Sequence, residues 1–180
     1  DLTSITWTIA EGVTWSDGSA VKPDDFIFTW QYCTHPEGGC AQSSYFDGVT
    51  EVEAVDARTV RINFGGPTPF PYTAFVGSES PVLQAAQFAE CLGARAPECT
   101  DANFGPIGTG PFKVDEFRPN DVIELSANPN FRFPDRPYFG TVTFKGGGDA
   151  TAAARSVCET GEFDYAWNLQ IDPNILAGMA

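Results

Sequence analysis

The stretch EGVTWSDGSAVKPDDFIFTW, residues 11–30, governs the local fold of the first part of the chain. Ser16-Asp17-Gly18 predicts a tight turn, because Asp and Gly both tolerate the left-handed backbone that turns require. Pro23 suits the first position of a helix, where its missing N–H is not needed. Asp24 and Asp25 follow in the first turn, where the positive end of the helix dipole favours carboxylates. The stretch therefore predicts a turn and then a helix, which the aromatic residues that follow would bury.

Composition limits the class of protein. The 180 residues are 42% hydrophobic, which is enough for a buried core, and no run approaches the roughly 20 apolar residues of a membrane helix. The formal net charge is −14, so we expect no nucleic-acid partner, since phosphates require Lys and Arg. The chain begins at Asp1 within a predicted strand; we therefore expect a cut end, and a removed targeting segment stays open.

Four of the five cysteines enclose short loops. Cys33 and Cys40 enclose THPEGG, and Cys91 and Cys99 enclose LGARAPE. Short, turn-rich loops of this kind favour local disulfides and an oxidising compartment. Free thiols and a zinc site are the alternatives, although the spacing differs from that of zinc knuckles and the chain has one histidine. Cys158 lies on the apolar stripe of a predicted helix, so we expect a buried structural thiol, with a reactive or intermolecular thiol as the alternative.

The chain as a whole predicts a mixed α/β (α+β) fold. Period-two alternation and β-branched or aromatic residues predict strands at 1–10, 49–55, 59–64, 112–117, 122–126, 138–144 and 163–167. Helices are predicted over 26–32, 81–92 and 150–160 and from Asp172-Pro173 onward, with 100–106 irregular.

Several motifs in a fixed order resemble the family 5 extracellular solute-binding proteins, the peptide- and oligopeptide-binding subunits of ABC importers. The motifs are the stretch at 11–30, the hairpin VEAVD…TVRI, the segment GTGPF, the step NPNF and the segment TGEFD. Ala20 and Lys22 depart from the Pro and Thr that this family often has. The absence of Thr removes a helix-capping acceptor, which costs about 1 kcal/mol in general.

The resemblance implies a type II periplasmic-binding-protein-like lobe. Residues 1–10 and 104–180 would form part of the first lobe, and residues 11–103 an inserted small subdomain. We expect a truncated chain, with the second lobe missing. The implied function is that of the substrate-binding component of an ABC transporter, which captures extracellular peptides or oligopeptides without chemistry as two lobes close about a hinge. The implied partners are a peptide or other small solute and the membrane permease. The protein would be extracytoplasmic (secreted, periplasmic or lipid-anchored) and monomeric when full length.

The resemblance also implies where a ligand is met. Trp167 would pack against the ligand and Asn168 would hydrogen-bond its backbone, at the carboxyl end of a predicted strand. A buried core tryptophan is the alternative for Trp167. Tyr45 would reach the cleft from the subdomain. Thr109, between two glycines, would border the cleft, and packing near the crossing between the lobes is its alternative.

Other chemistry has weaker support in the sequence. The carboxylates at positions 17, 24 and 25 would suit a glycosidase pair, but a turn and a helix start account for them. The run Gly146–Asp149 before a helix lacks the Lys and Ser/Thr of a phosphate loop. His35 lies in a predicted surface loop. We expect no catalytic residue, metal or cofactor. The alternatives are a binder of a nickel chelate, haem, opine or oligosaccharide on the same fold, a secreted hydrolase, or a stand-alone interaction module.

Overall fold

The computed structural model describes residues 2–179. The strands are β1 (Ser4–Thr8), β2 (Val49–Asp56), β3 (Thr59–Phe64), β4 (Phe112–Arg118), β5 (Val122–Ala127) and β6 (Thr141–Lys145). The helices are α1 (Pro23–Thr34), α2 (Ala85–Phe88), α3 (Thr100–Phe104), α4 (Ala150–Cys158) and α5 (Pro173–Ala177), with 3₁₀ turns at Ser43–Phe46 and Gly93–Glu98. In this described range, no helix combines the length and apolar character needed to span a bilayer.

The chain divides into two compact units. Unit 1 comprises the residues up to Phe117 together with Glu124–Thr143. Unit 2 comprises Arg118–Ile123 and the residues from Phe144 onward. The predicted lobe and subdomain, 1–10 with 104–180 and 11–103, stay a prediction.

The core of unit 1 lies between α1 and a three-stranded sheet of order β1-β3-β2. Both outer strands pair antiparallel with β3, so that Ile5 lies opposite Ile62 and Trp7 opposite Val60. Val52, Val60 and Ile62 are buried. Alternation along each strand places these side chains on one face, against α1. The predicted hairpin of β2 and β3 is confirmed.

The other face of this sheet is polar, as its alternating charged residues predict. The Asn63 side-chain amide donates to Glu51 Oε2 and to Glu53 Oε1, both at 3.1 Å. Arg61 pairs with Glu53 at 3.3 Å. Such cross-strand polar pairs stabilise a solvated sheet face modestly.

Helix α1 begins at Pro23, as the sequence predicts. The Lys22 backbone N–H donates to Asp25 Oδ2 at 2.9 Å, which satisfies one of the unpaired donors at the helix start. Lys22 has no side-chain acceptor, so only this half of a capping box forms. Both predicted disulfides, Cys33–Cys40 and Cys91–Cys99, are present in the structure.

The second sheet has the order β4-β5-β6. The predicted hairpin of β4 and β5 is confirmed, and Asn120 adopts a φ of 61° in its turn. Asp121, within unit 2, accepts hydrogen bonds from Lys145 and, at 2.7 Å, from Arg118 Nε. These bonds, that from Lys145 foremost, hold the pKa of Asp121 below its ordinary value. These charged contacts therefore connect the β4–β5 turn to Lys145, the last residue of β6.

An aspartate precedes and caps each of the two helices described in unit 2. Asp149 Oδ1 accepts the Ala152 N–H at 2.8 Å, and Asp172 Oδ1 accepts the Asn174 N–H at 2.8 Å. Both are N-caps, and the second was expected together with Pro173 at the first helical position.

The predicted strand at 163–167 is wrong. This segment has no regular secondary structure, and the Phe163 N–H donates back to Ser156 O at the end of α4, at 3.1 Å. A strand requires a neighbouring strand to pair with, and the structure provides none for these residues within 2–179.

The predictions for two further segments are also wrong. Of the helix expected at 81–92, only α2 forms, because the Leu83 N–H donates to Thr29 Oγ1 and the Ala85 N–H to Asp25 Oδ1. The side chains of α1 thus hold the preceding backbone extended. Residues expected to be irregular at 100–106 include the short helix α3.

Cys158 is exposed, so the expectation of a buried thiol is wrong. Ala154 is the fully buried residue of the apolar stripe of α4, and Cys158 is the last residue of the helix, beyond the buried turn. Amphipathic spacing identifies a face but not how far along the helix that face is covered.

Candidate functional site

Trp167 and Asn168 lie in the irregular segment of unit 2 that connects α4 and α5. The Trp167 side chain is 79% exposed. Asn168 is exposed and has a φ of 48°, a left-handed conformation that Asn tolerates better than most residues. Among residues 2–179, neither side chain has a hydrogen-bond partner. The indole N–H and the amide are therefore available to a ligand.

Tyr165 is a second exposed aromatic residue in the same segment, at 72% exposure, and the sequence reasoning missed it. The sequence contained a signal, because Tyr165 lies two residues before Trp167. The strand predicted at 163–167 concealed it, since that assignment suggested a buried ring. Exposed aromatic rings close together in sequence are a feature of binding surfaces.

Tyr45 and Thr109 lie in unit 1. Tyr45 belongs to the 3₁₀ turn Ser43–Phe46, is half-buried against the core, and its carbonyl accepts the Thr73 hydroxyl at 3.1 Å. Thr109 is half-buried between two anchored glycines. The Ser16 N–H donates to Gly108 O at 2.9 Å, and Asn128 Nδ2 donates to Gly110 O at 2.8 Å. The ligand roles of all four predicted residues stay predictions.

Asp25 has a structural position. It is 6% exposed and its carboxylate accepts three hydrogen bonds, from Trp15 Nε1 at 3.2 Å, the Lys22 N–H at 2.9 Å and the Ala85 N–H at 2.9 Å. A buried carboxylate with this many donors holds backbone segments together. It joins the turn, the start of α1 and the start of α2.

Asp17 has a similar position in the turn. Its Oδ1 accepts the Ser19 N–H at 2.8 Å and the Ser19 hydroxyl at 2.6 Å, and its Oδ2 accepts Gln84 Nε2 at 2.9 Å. The Ser19 hydroxyl, and then Gln84, lower the pKa of Asp17. A general acid requires a raised pKa, so this carboxylate does not suit the acid role of a glycosidase pair, and hydrogen bonds within the fold already occupy both of its oxygens.

His35 packs against Gly93, across the two disulfide-closed loops. A Cβ on Gly93 would lie 2.8 Å from His35 Cε1. His35 Nδ1 accepts the Glu37 N–H at 3.2 Å. Throughout residues 2–179, the structure groups no three His, Cys, Asp or Glu side chains as a metal site.

Unit 1 contains several partly open cavities, of which a larger and a smaller one flank α1. The larger, of about 660 Å³, lies between α1 and the tip of the β2–β3 hairpin and is lined by small and apolar residues together with the charged Glu11, Lys22, Asp24, Asp56 and Arg58. The smaller, of about 360 Å³, lies beside the disulfide loops and is lined by Tyr32, Phe88 and Asn103, among others. Neither lining includes any of the four predicted ligand residues.

Known proteins share both the sequence and the fold. The peptidoglycan-binding protein YepA of Agrobacterium fabrum is 33% identical over 125 residues, 68% of this chain and 19% of that protein. A putative ABC transporter peptide-binding protein of Brucella ovis is 27% identical over 157 residues, 85% of this chain and 28% of that protein. The chain therefore spans less than a third of the length of these relatives.

A solved structure of a related protein has the same fold. The oligopeptide-binding protein AppA of Bacillus subtilis, in complex with a nonapeptide, superposes with a TM-score of 0.78 at 25% identity, over 90% of this chain and 32% of AppA. The predicted fold class, a mixed α/β lobe of the type II periplasmic-binding-protein kind, is confirmed. Residues 1–177 match the family described as bacterial extracellular solute-binding proteins, family 5 Middle. The chain belongs to the family 5 bacterial extracellular solute-binding proteins.

Proposed function

We propose that this chain is part of the substrate-binding component of an ABC importer, and that it contributes Trp167 and Asn168 to the capture of extracellular peptides. The observation that carries this proposal is the 79% exposure of Trp167 beside an Asn whose amide has no partner among residues 2–179. An exposed indole ring beside an unpaired side-chain amide offers a ligand both apolar surface and hydrogen-bonding groups.

The two side chains fit the chemistry of a peptide. The amide of Asn168 carries both donors and acceptors, which match the N–H and C=O groups of an extended backbone. The flat face of Trp167 contacts apolar side chains of differing size without demanding one shape. This pair therefore favours recognition of the backbone over recognition of sequence.

The relatives support a peptide as the ligand, because one is named as a peptide-binding protein and AppA was solved with a nonapeptide. A second candidate is a peptide from peptidoglycan, since the relative with 33% identity is named as a peptidoglycan-binding protein. Both candidates are peptides, so both present the backbone groups that the amide of Asn168 would bind.

The location and partners follow from the same proposal. The protein is extracytoplasmic, which agrees with two disulfides within unit 1. It binds without a chemical reaction and, as a monomer, delivers its ligand to a membrane permease.

Calorimetry on the full-length protein tests the proposal, with a nonapeptide and a murein tripeptide as probes. Trp167→Ala is expected to weaken binding at least about 30-fold, the range of an interface hot spot. Asn168→Gly removes the amide but tolerates the left-handed backbone, and about a ten-fold loss is expected. Phe70→Ala, at another ring with 68% exposure, is the matched control. Unchanged binding in both site variants would refute the assignment.

A further inference from the structure

One exposed loop of unit 1, Phe131–Phe139, combines aromatic rings with stacked arginines. We call it the Arg-aromatic loop. The guanidinium of Arg132 lies over the ring of Phe133 at 4.7 Å, and that of Arg136 over the ring of Tyr138 at 5.5 Å. Tyr138 is 79% exposed. The loop thus presents flat, cationic and aromatic surfaces to solvent.

These two arginines differ from the other five. The chain has 24 Asp and Glu residues, and most of its arginines pair with one. The paired arginines are Arg58, Arg61, Arg95, Arg118 and Arg155. Within residues 2–179, Arg132 and Arg136 have no carboxylate partner. A guanidinium stacked on a ring keeps its in-plane N–H donors free, in the fork that a carboxylate accepts.

The base of the loop is fixed. Asn128 is buried, its Nδ2 donates to Gly110 O at 2.8 Å, and its Oδ1 accepts the Asn130 N–H at 2.9 Å. Asn130 Nδ2 donates to Ser16 O at 3.0 Å. A surface held in place before binding loses little conformational entropy when a partner arrives.

We propose that the Arg-aromatic loop docks an acidic protein surface, the extracytoplasmic face of the importer's permease. Arg, Phe and Tyr are enriched at the centres of protein interfaces, and a free guanidinium fork matches the geometry of a carboxylate opposite it. The chain as a whole carries a net charge of −14, whereas this loop carries two arginines against the one carboxylate of Asp135, so an acidic surface meets less repulsion here. This inference rests on the proposed function, which supplies the permease as partner.

Docking of the full-length protein to the permease in lipid nanodiscs tests the inference. The double variant Arg132→Gln/Arg136→Gln is expected to weaken docking at least about ten-fold at low salt, mainly through slower association, and less at high salt. Replacement of both by Lys keeps the charge but not the stacked fork, so we expect partial recovery. In the wild-type protein, docking is expected to protect Tyr138 and Phe139 from hydroxyl-radical oxidation.

Arg95→Gln is the matched control, since Arg95 is exposed in the same unit and pairs with Glu90. It is expected to change docking less than about two-fold. Three outcomes would each overturn the inference. They are an equal loss of docking in the Arg95→Gln control, undiminished docking in the double variant, and a loop that is already protected from oxidation in the free full-length protein. Peptide calorimetry on the same samples separates the two proposals. If the wild-type protein binds peptide but the loop variants dock as well as wild type, this inference alone is refuted. If the wild-type protein binds no peptide, the proposed function is refuted.

Discussion

Two tryptophan-centred regions of this chain use similar residues in opposite ways. Trp15 is 2% exposed, and its indole N–H donates to Asp25, which also receives two backbone N–H groups. Trp167 is exposed, and the amide of Asn168 beside it has no partner within the described chain. The first region uses its hydrogen-bonding groups within the fold, and the second leaves them available. An aromatic residue near a polar one therefore indicates a site only where its polar groups are free.

The largest expected effect compares the two tryptophans directly. Trp15→Ala in the full-length protein is expected to lower the free energy of unfolding by about 3–5 kcal/mol, because it leaves a cavity and removes a donor from Asp25. Trp167→Ala is expected to lower it by less than about 0.5 kcal/mol. Urea unfolding monitored by circular dichroism measures both. Similar losses would identify Trp167 as a core residue and remove the contrast.

The adjacent aspartates provide the second test. Asp25→Ala is expected to cost about 3 kcal/mol, since three donors lose their acceptor in a buried site. Asp24→Ala changes an exposed side chain one residue earlier, and its expected cost is below about 0.5 kcal/mol. The same unfolding measurement applies. If Asp24 proved the more sensitive, the structural role of this region would be assigned to the wrong carboxylate.

The third test concerns the covalent part of unit 1. Replacement of Cys91 and Cys99 by Ser is expected to cost about 2–3 kcal/mol, the value for a loop of this length on the chain-entropy account. Cys158→Ser, in unit 2, is expected to leave stability unchanged, because the thiol is exposed. Thermal unfolding without reductant compares the two. A null effect of the double variant would contradict a structural disulfide.

The smallest expected effect depends on pH. Hydrogen bonds from Ser19 and Gln84 lower the pKa of Asp17 below its ordinary value of 3.8. A carboxylate with a lowered pKa in the folded state stabilises the protein above the unfolded pKa, and this contribution disappears as pH falls through the folded pKa. The stability difference between wild type and Asp17→Asn should therefore shrink below about pH 4. A difference that grew with acidification would contradict the assigned contacts.

Local patterns were sufficient to predict much of the fold. The start of α1 at Pro23, the hairpin of β2 and β3 and both disulfides follow from residues close together in sequence. These features depend on turn chemistry, alternation and short loop closure, which a single sequence displays.

Features that depend on distant partners could not be predicted in this way. Residues 163–167 have the composition of a strand, but their pairing depends on a neighbour that composition cannot supply. The shortening of α2 results from Thr29 and Asp25, more than fifty residues earlier in the chain. Whether Cys158 is buried depends on how far along α4 other elements cover the helix, which its own sequence does not show. The sequence indicated Trp167 and Asn168 by resemblance, whereas the availability of their polar groups required coordinates.

The contact between His35 and Gly93 has a consequence for how this family member can vary. Gly93 has a φ of 67°, and a methyl group there would meet the imidazole ring at 2.8 Å. A side chain at position 93 would therefore need both a displaced or smaller residue at 35 and a left-handed backbone that few residues other than Gly adopt. Position 93 is expected to stay Gly even where position 35 becomes smaller, so the packing between the two covalently closed loops depends more on the glycine than on the histidine.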